Sequence, residues 1–224
     1  MDPSAFLIDD ILHGTAADPL ESAKLPTGRA VRLRARHRFA RVAQRHTLRE
    51  TIGTLPAPGE AVHCTTGGKF ELFTWVPEIV AWLGAVDSLY ASTWTCSKIN
   101  AAELFQLADG GKIGRIHFVT GLYFKRRESA VYAYLLEGLR QRGGTYRAFP
   151  NHSKVLLLAN AAQGHYLTVE GSGNFTANPQ HEQETIINDR SLWEFHCQWF
   201  AEMLVSVPEE KPIEAQPEEA RSGN

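Results

Sequence analysis

From about residue 60 to residue 206 the chain alternates short apolar runs with longer segments of helical spacing. It then runs through consecutive short strands before one last helix. Few folds accommodate that order. Ala61–Thr65 reads as a short strand and Phe70–Leu83 as an apolar helix. Val86–Thr95, Lys112–Thr120 and Thr145–Phe149 read as strands, with helices over Asn100–Leu107 and Glu128–Arg142 between them. Strands from His152, over Gly164–Val169 and over Glu184–Asn188 follow, and Ser191 is placed to cap a helix through Val205. Strand–helix units followed by successive strands predict an α/β domain, a mixed β-sheet flanked by helices on both faces.

The chemistry-bearing residues cluster in the second half. In His152-Ser153-Lys154, which leads into Val155-Leu156-Leu157-Leu158, an extended backbone puts His152 and Lys154 on one face, because strand side chains alternate. The hairpin partner over Gly164–Val169 runs on into Gly171-Ser172-Gly173-Asn174. Gly171 and Gly173 are suited to a close backbone approach to a phosphate. Ser172 and Asn174 are donors for its non-bridging oxygens, and Lys154 offsets its charge. His152 can attack phosphorus and also titrates near neutral pH. To attack it must be neutral, and a carboxylate on its other ring nitrogen would orient it. Glu184, which opens Thr185-Ile186-Ile187, is the candidate, and Glu182 shares its strand parity.

A histidine and a lysine spaced HxK, followed by GSxN, resemble the signature of the phospholipase D superfamily, in particular its nuclease-like members with a single motif. The resemblance covers residues 60–206 and implies one half-domain of that family. It implies a two-step phosphodiesterase reaction through a phosphohistidine, with a second histidine as acid and then base. The motif occurs once, so the resemblance implies a homodimer that brings two copies of His152 into one site. The family's usual Asp, five residues after the Lys, is Ala159 here. Nuclease-like members can lack it, yet the change keeps open a module that binds nucleic acid without turnover. A lipid phosphodiesterase is the less favoured reading. DNA, or RNA, is the expected substrate, and no metal or cofactor is expected.

The remaining segments set the context. Residues 1–59 read as an extension, with a short amphipathic helix at 4–13 and a linker at 14–28. Eight arginines and no acid lie between Arg29 and Arg49, despite a net charge of -2 for the whole chain. Val31, Leu33 and Ala35 alternate with arginines in a strand-like way, and helical spacing begins near Arg38. Arg32, Arg34, Arg36, Arg38, Arg41 and Arg45 are candidates for contact with a phosphate backbone. Residues 207–224 are acidic, contain proline and are expected to be disordered. Cys64, Cys96 and Cys197 are widely spaced, and no signal-peptide pattern or membrane-length apolar run is present, so a cytoplasmic protein is expected. Gly67-Gly68-Lys69 lacks the first glycine and the Ser or Thr of a P-loop. His63-Cys64 and His196-Cys197 lack zinc-site spacing.

Overall fold

The computed structural model describes residues 28–206, with side chains from 40 to 205. The helix expected at 4–13, most of the 14–28 linker and the acidic tail lie outside the described residues. The chain divides into two compact units, Met1–Ala43 and Gln44–Asn224. The second begins earlier than the expected boundary at residue 60, because Leu48 is buried in its core.

Helix α1 covers Gly28–Ile52 without a break. The strand-like alternation at Val31–Arg36 is therefore overruled. A period of two over three apolar residues is weak evidence, while alanine, leucine and arginine are strong helix formers and no proline interrupts them. Next come β1 (Ala61–Thr65), a 3-10 turn (Leu72–Thr74), α2 (Trp75–Leu83), β2 (Val86–Thr93), α3 (Lys98–Asp109) and β3 (Ile113–Gly121). Then follow α4 (Leu122–Arg127), α5 (Ser129–Gln141), β4 (Thr145–Phe149), β5 (Val155–Asn160), β6 (His165–Gly171), β7 (Gln183–Asn188) and α6 (Arg190–Ser206). The Phe70–Leu83 helix is shortened at its start by the 3-10 turn. The short helix α4 was not expected. The cap of α6 is Asp189, whose Oδ1 accepts from the Leu192 N–H at 2.8 Å, rather than Ser191.

The sheet has seven strands in the order β1-β7-β6-β5-β2-β3-β4. β2, β3 and β4 run parallel, joined by crossover helices, and every other pairing is antiparallel. Strand β5 is central, so both of its faces are covered and its apolar run is continuous rather than alternating. Leu156 and Leu158 enter the larger core with Leu89, Phe118, Leu167, Val169 and Ile186, packed under α2, α3 and α5. Val155 and Leu157 face the other way, against Phe200 and Met203 of α6. The fold is thus a mixed sheet with helices on both faces, as expected.

The part of α1 within the second unit is held by charge. Glu78 on α2 is fully buried, and its carboxylate accepts from Arg45 Nε at 2.9 Å and from Arg49 Nε. Two guanidinium groups thus compensate a carboxylate that burial alone would make costly. Arg45, a candidate for phosphate contact, is committed in this structure to Glu78.

Candidate active site

The site forms at the end of the sheet where β5 begins and β6 ends. His152 and Lys154 do not lie in β5 but in the segment just before it. The reason is local. Asn151 Oδ1 accepts from the Ser153 N–H at 3.1 Å and from Ser153 Oγ at 2.7 Å, which diverts backbone that a longer strand would need. Asn151 and Ser153 are both tied to Ser92 on β2, at 2.9 and 2.6 Å, so this lead-in is anchored to the neighbouring strand.

His152 and Lys154 meet as expected. His152 is exposed, and Lys154 is buried with 8% of its surface accessible. Lys154 Nζ lies 2.8 Å from His152 Nδ1 and donates to the His152 carbonyl at 2.7 Å. Nζ also lies 3.3 Å from His152 Nε2, so the amine sits beside the imidazole ring. Burial holds the Lys154 pKa below the ordinary lysine range, and the Glu182 carboxylate partly opposes that shift.

Asn174 is fixed by the end of β2. Its Oδ1 accepts from the Trp94 N–H at 3.2 Å and lies 3.4 Å from Thr93 Oγ1. A backbone N–H can only donate, so the amide oxygen must face Trp94 and the NH2 group must face away. Trp94 joins the two halves of the site, because its ring also lies 5.4 Å from the His152 ring. Ser172 Oγ bonds to Glu182 and accepts from the Gln183 N–H at 3.1 Å.

The glycines of this turn have a packing role. A Cβ on Gly171 would come within 2.4 Å of the Gln183 carbonyl oxygen, and one on Gly173 within 2.6 Å of Glu184 Oε1. Gly171 and Gly173 therefore let the turn lie against β7, and neither has a positive φ.

Glu184 departs furthest from expectation. Its Oε2 accepts from the Trp75 indole N–H and its Oε1 has no hydrogen-bond partner, so it does not hold the His152 ring. With 2% of its surface exposed, its carboxyl is pushed up to about 7, chiefly by burial. The indole bond lowers the value, and Glu182 and Glu71 raise it. Glu182 serves Ser172 and Asn178 instead, with Asn178 donating at 2.8 Å.

Ala159 lies near the far end of β5, paired with Tyr166 on β6 and Ser88 on β2. It shares strand parity with Val155 and Leu157, opposite to the face of Leu156 and Leu158. Five residues of strand separate it from Lys154, roughly 16 Å. An aspartate there would not reach the reacting centre, so its replacement removes no group from the site.

Sequence reading missed Trp94, which follows β2 directly, and Tyr123 on α4. Their rings stack with centroids 4.7 Å apart. A tryptophan at the mouth of a strand beside His152 was the available signal. Among the described residues no cluster of metal-binding side chains occurs and no helix is long and apolar enough to cross a membrane.

No family model matches the sequence, and no curated protein matches it. Solved structures do. NucT from Helicobacter pylori has a TM-score of 0.50 at 12% identity, over 67% of this chain and 100% of that one. Polyphosphate kinase from Porphyromonas gingivalis has a TM-score of 0.50 at 14% identity, over 67% of this chain and 26% of that one. The phospholipase D family member Nuc from Salmonella typhimurium has a TM-score of 0.48 at 17% identity, over 68% of this chain and 99% of that one. In its mixed sheet, and in the elements that cover both faces, this chain shares its fold with NucT and with part of that polyphosphate kinase.

Proposed function

We propose that the chain is a phosphodiesterase of the phospholipase D type that cleaves nucleic acid, DNA in the first instance, with His152 as nucleophile. One observation carries the reading: an exposed imidazole 2.8 Å from the amine of a buried lysine, joined through Trp94 to an asparagine whose NH2 faces away from Trp94. That set combines a nucleophile, a positive charge and an oriented donor, as phosphoryl transfer requires. The arginines along α1 support the choice of a nucleic acid over a lipid.

In the first step a His152 ring nitrogen bonds to phosphorus as the bond to the leaving oxygen breaks. A second acid must protonate that oxygen. In the second step water attacks phosphorus, the nitrogen–phosphorus bond breaks and His152 is released, while the second group takes the water's proton. One chain supplies one His152, so we assign the second role to His152 of a second copy in a homodimer. Lys154 and Asn174 hold the non-bridging oxygens, and Ser172 joins them only by releasing its hydroxyl from Glu182. Arg32, Arg34, Arg36, Arg38 and Arg41 lie along α1 and are proposed to add contacts to the phosphate backbone that weaken with salt. Glu184 sits behind the turn, against Gly173, rather than on the imidazole.

The nucleophile is a protein nitrogen, so cleavage of labelled DNA by the wild type is expected to persist in EDTA and to be lost in His152→Ala. Binding without cleavage by the wild type would instead identify an inactive nucleic-acid-binding module.

A further inference from the structure

The donor that a phosphate would take from Ser172 is already engaged. Ser172 is exposed, yet its hydroxyl is bonded to Glu182 Oε2. The Gln183 N–H donates to Ser172 Oγ at 3.1 Å, and a carboxylate can only accept, so the hydroxyl proton points at Glu182. Asn178 Nδ2 donates to Glu182 Oε1 at 2.8 Å. The same carboxylate acts on Lys154, where its charge favours the ammonium form. Lys154 adjoins this turn, because its carbonyl accepts from the Gly171 N–H at 3.3 Å. Glu182 thus engages groups of the kind that a non-bridging phosphate oxygen takes.

Only a side chain has to move to release the hydroxyl. The Glu182 backbone is fixed on both sides to Thr66, just beyond β1. Its N–H donates to Thr66 Oγ1 at 3.2 Å, and its carbonyl accepts from the Thr66 N–H at 2.9 Å. Ser172 is held independently, by the Gln183 N–H on its oxygen and by its own N–H on the Gln183 carbonyl at 3.0 Å. Glu182 is partly exposed, so water is within reach of a carboxylate that leaves Ser172.

We propose that Glu182 is an internal counter-anion, which holds the Ser172 hydroxyl until a phosphodiester displaces it, and that its charge makes the site favour the diester over a phosphate monoester. Both roles rest on the phosphodiesterase reading above. A phosphodiester carries one negative charge, whereas a monoester carries about two near neutral pH. Each further charge beside a carboxylate is disfavoured. Hydrolysis turns the first into the second: water's oxygen bonds to phosphorus, the alcohol leaves, and the phosphate gains a hydroxyl that ionises. The product therefore meets a repulsion that the substrate feels only in part. Glu182 speeds its departure as the carboxylate returns to Ser172. A residue that merely braced the turn would not distinguish substrate from product.

The test measures cleavage of labelled DNA near pH 8 with two competitors, the diester bis(p-nitrophenyl) phosphate and the monoester p-nitrophenyl phosphate. Glu182→Gln keeps an acceptor for Ser172 and removes the charge. At about threefold per phosphate charge, its Ki should fall about threefold for the diester and about tenfold for the monoester. The ratio of diester Ki to monoester Ki thus rises, and added salt should shrink the rise. Glu182→Asp, which keeps the charge, is expected to keep the wild-type ratio. Partial misfolding would lower the rate and leave both constants alone. An unchanged ratio in Glu182→Gln, or weaker binding of both competitors, overturns the counter-anion while sparing the nuclease reading. A wild type that cleaves no DNA overturns both.

Discussion

Two buried glutamates on the same side of the sheet have opposite surroundings. Glu78 is enclosed by α2 and α1 and meets two guanidinium groups. Glu184 opens onto the turn that carries Asn174 and meets one indole N–H, with its second oxygen unpaired. The first is a clamp: its charge is matched and it ties the end of α1 to the domain. The second is an unmatched charge kept beside the site. Residues that serve only stability are seldom left with an orphaned buried oxygen, because that costs about 1–3 kcal/mol. The contrast sets Glu184, which lies against Gly173, apart from Glu78, which belongs to the framework.

The largest effect should come from removing the unmatched charge. The folded pKa of Glu184, about 7, lies above its ordinary 4.5, so the fold disfavours the ionised form. No cost arises below the ordinary value. Stability is lost as pH rises through that window, and the full cost, about 3 kcal/mol, is present above it. Glu184→Gln should therefore match the wild type near pH 4 and exceed it by up to that amount near pH 8 in urea unfolding. Parallel curves for the two proteins would remove Glu184 as the source.

The matched glutamate should behave in the opposite sense. Glu78→Gln leaves two arginines without their carboxylate and should destabilise by about 2 kcal/mol, a figure reduced because both arginines are partly exposed. Chemical denaturation at neutral pH checks it, and a stabilised variant would contradict the clamp. Gly173→Ala pushes a methyl group against Glu184 Oε1 and should cost about 1–2 kcal/mol. Combined with Glu184→Ala, most of that cost should disappear, which a double-mutant cycle would read. The smallest effect is that of Trp75→Phe, which removes the donor that lowers the Glu184 pKa. The pH midpoint of the stability loss should move up by about one unit.

Most of the sheet was legible because its strands are short, apolar and bounded by turn residues. β4 was read to the residue, and the order of strands and helices from residue 61 held with shifts at the ends. The HxK and GSGN segments were also legible, since both are local patterns. What escaped depends on contacts distant in sequence. The Trp75 indole claims Glu184 from 109 positions away, which strand parity cannot reveal. Asn151 withdraws His152 from β5 through a side-chain bond that competes with the strand. The regular arginine spacing before Arg38 imitated a strand, although the residue types favour the helix that forms. Tyr123 gained meaning only once β3 and β2 were paired and the rings at their ends met.

The central claim is that His152 carries the phosphoryl group. The most direct measurement is a single turnover of radiolabelled DNA quenched into base, followed by peptide mapping of the label. The account predicts a base-stable, acid-labile label on the peptide containing His152, absent from His152→Ala. Cleavage by the wild type with no label on that peptide would contradict it.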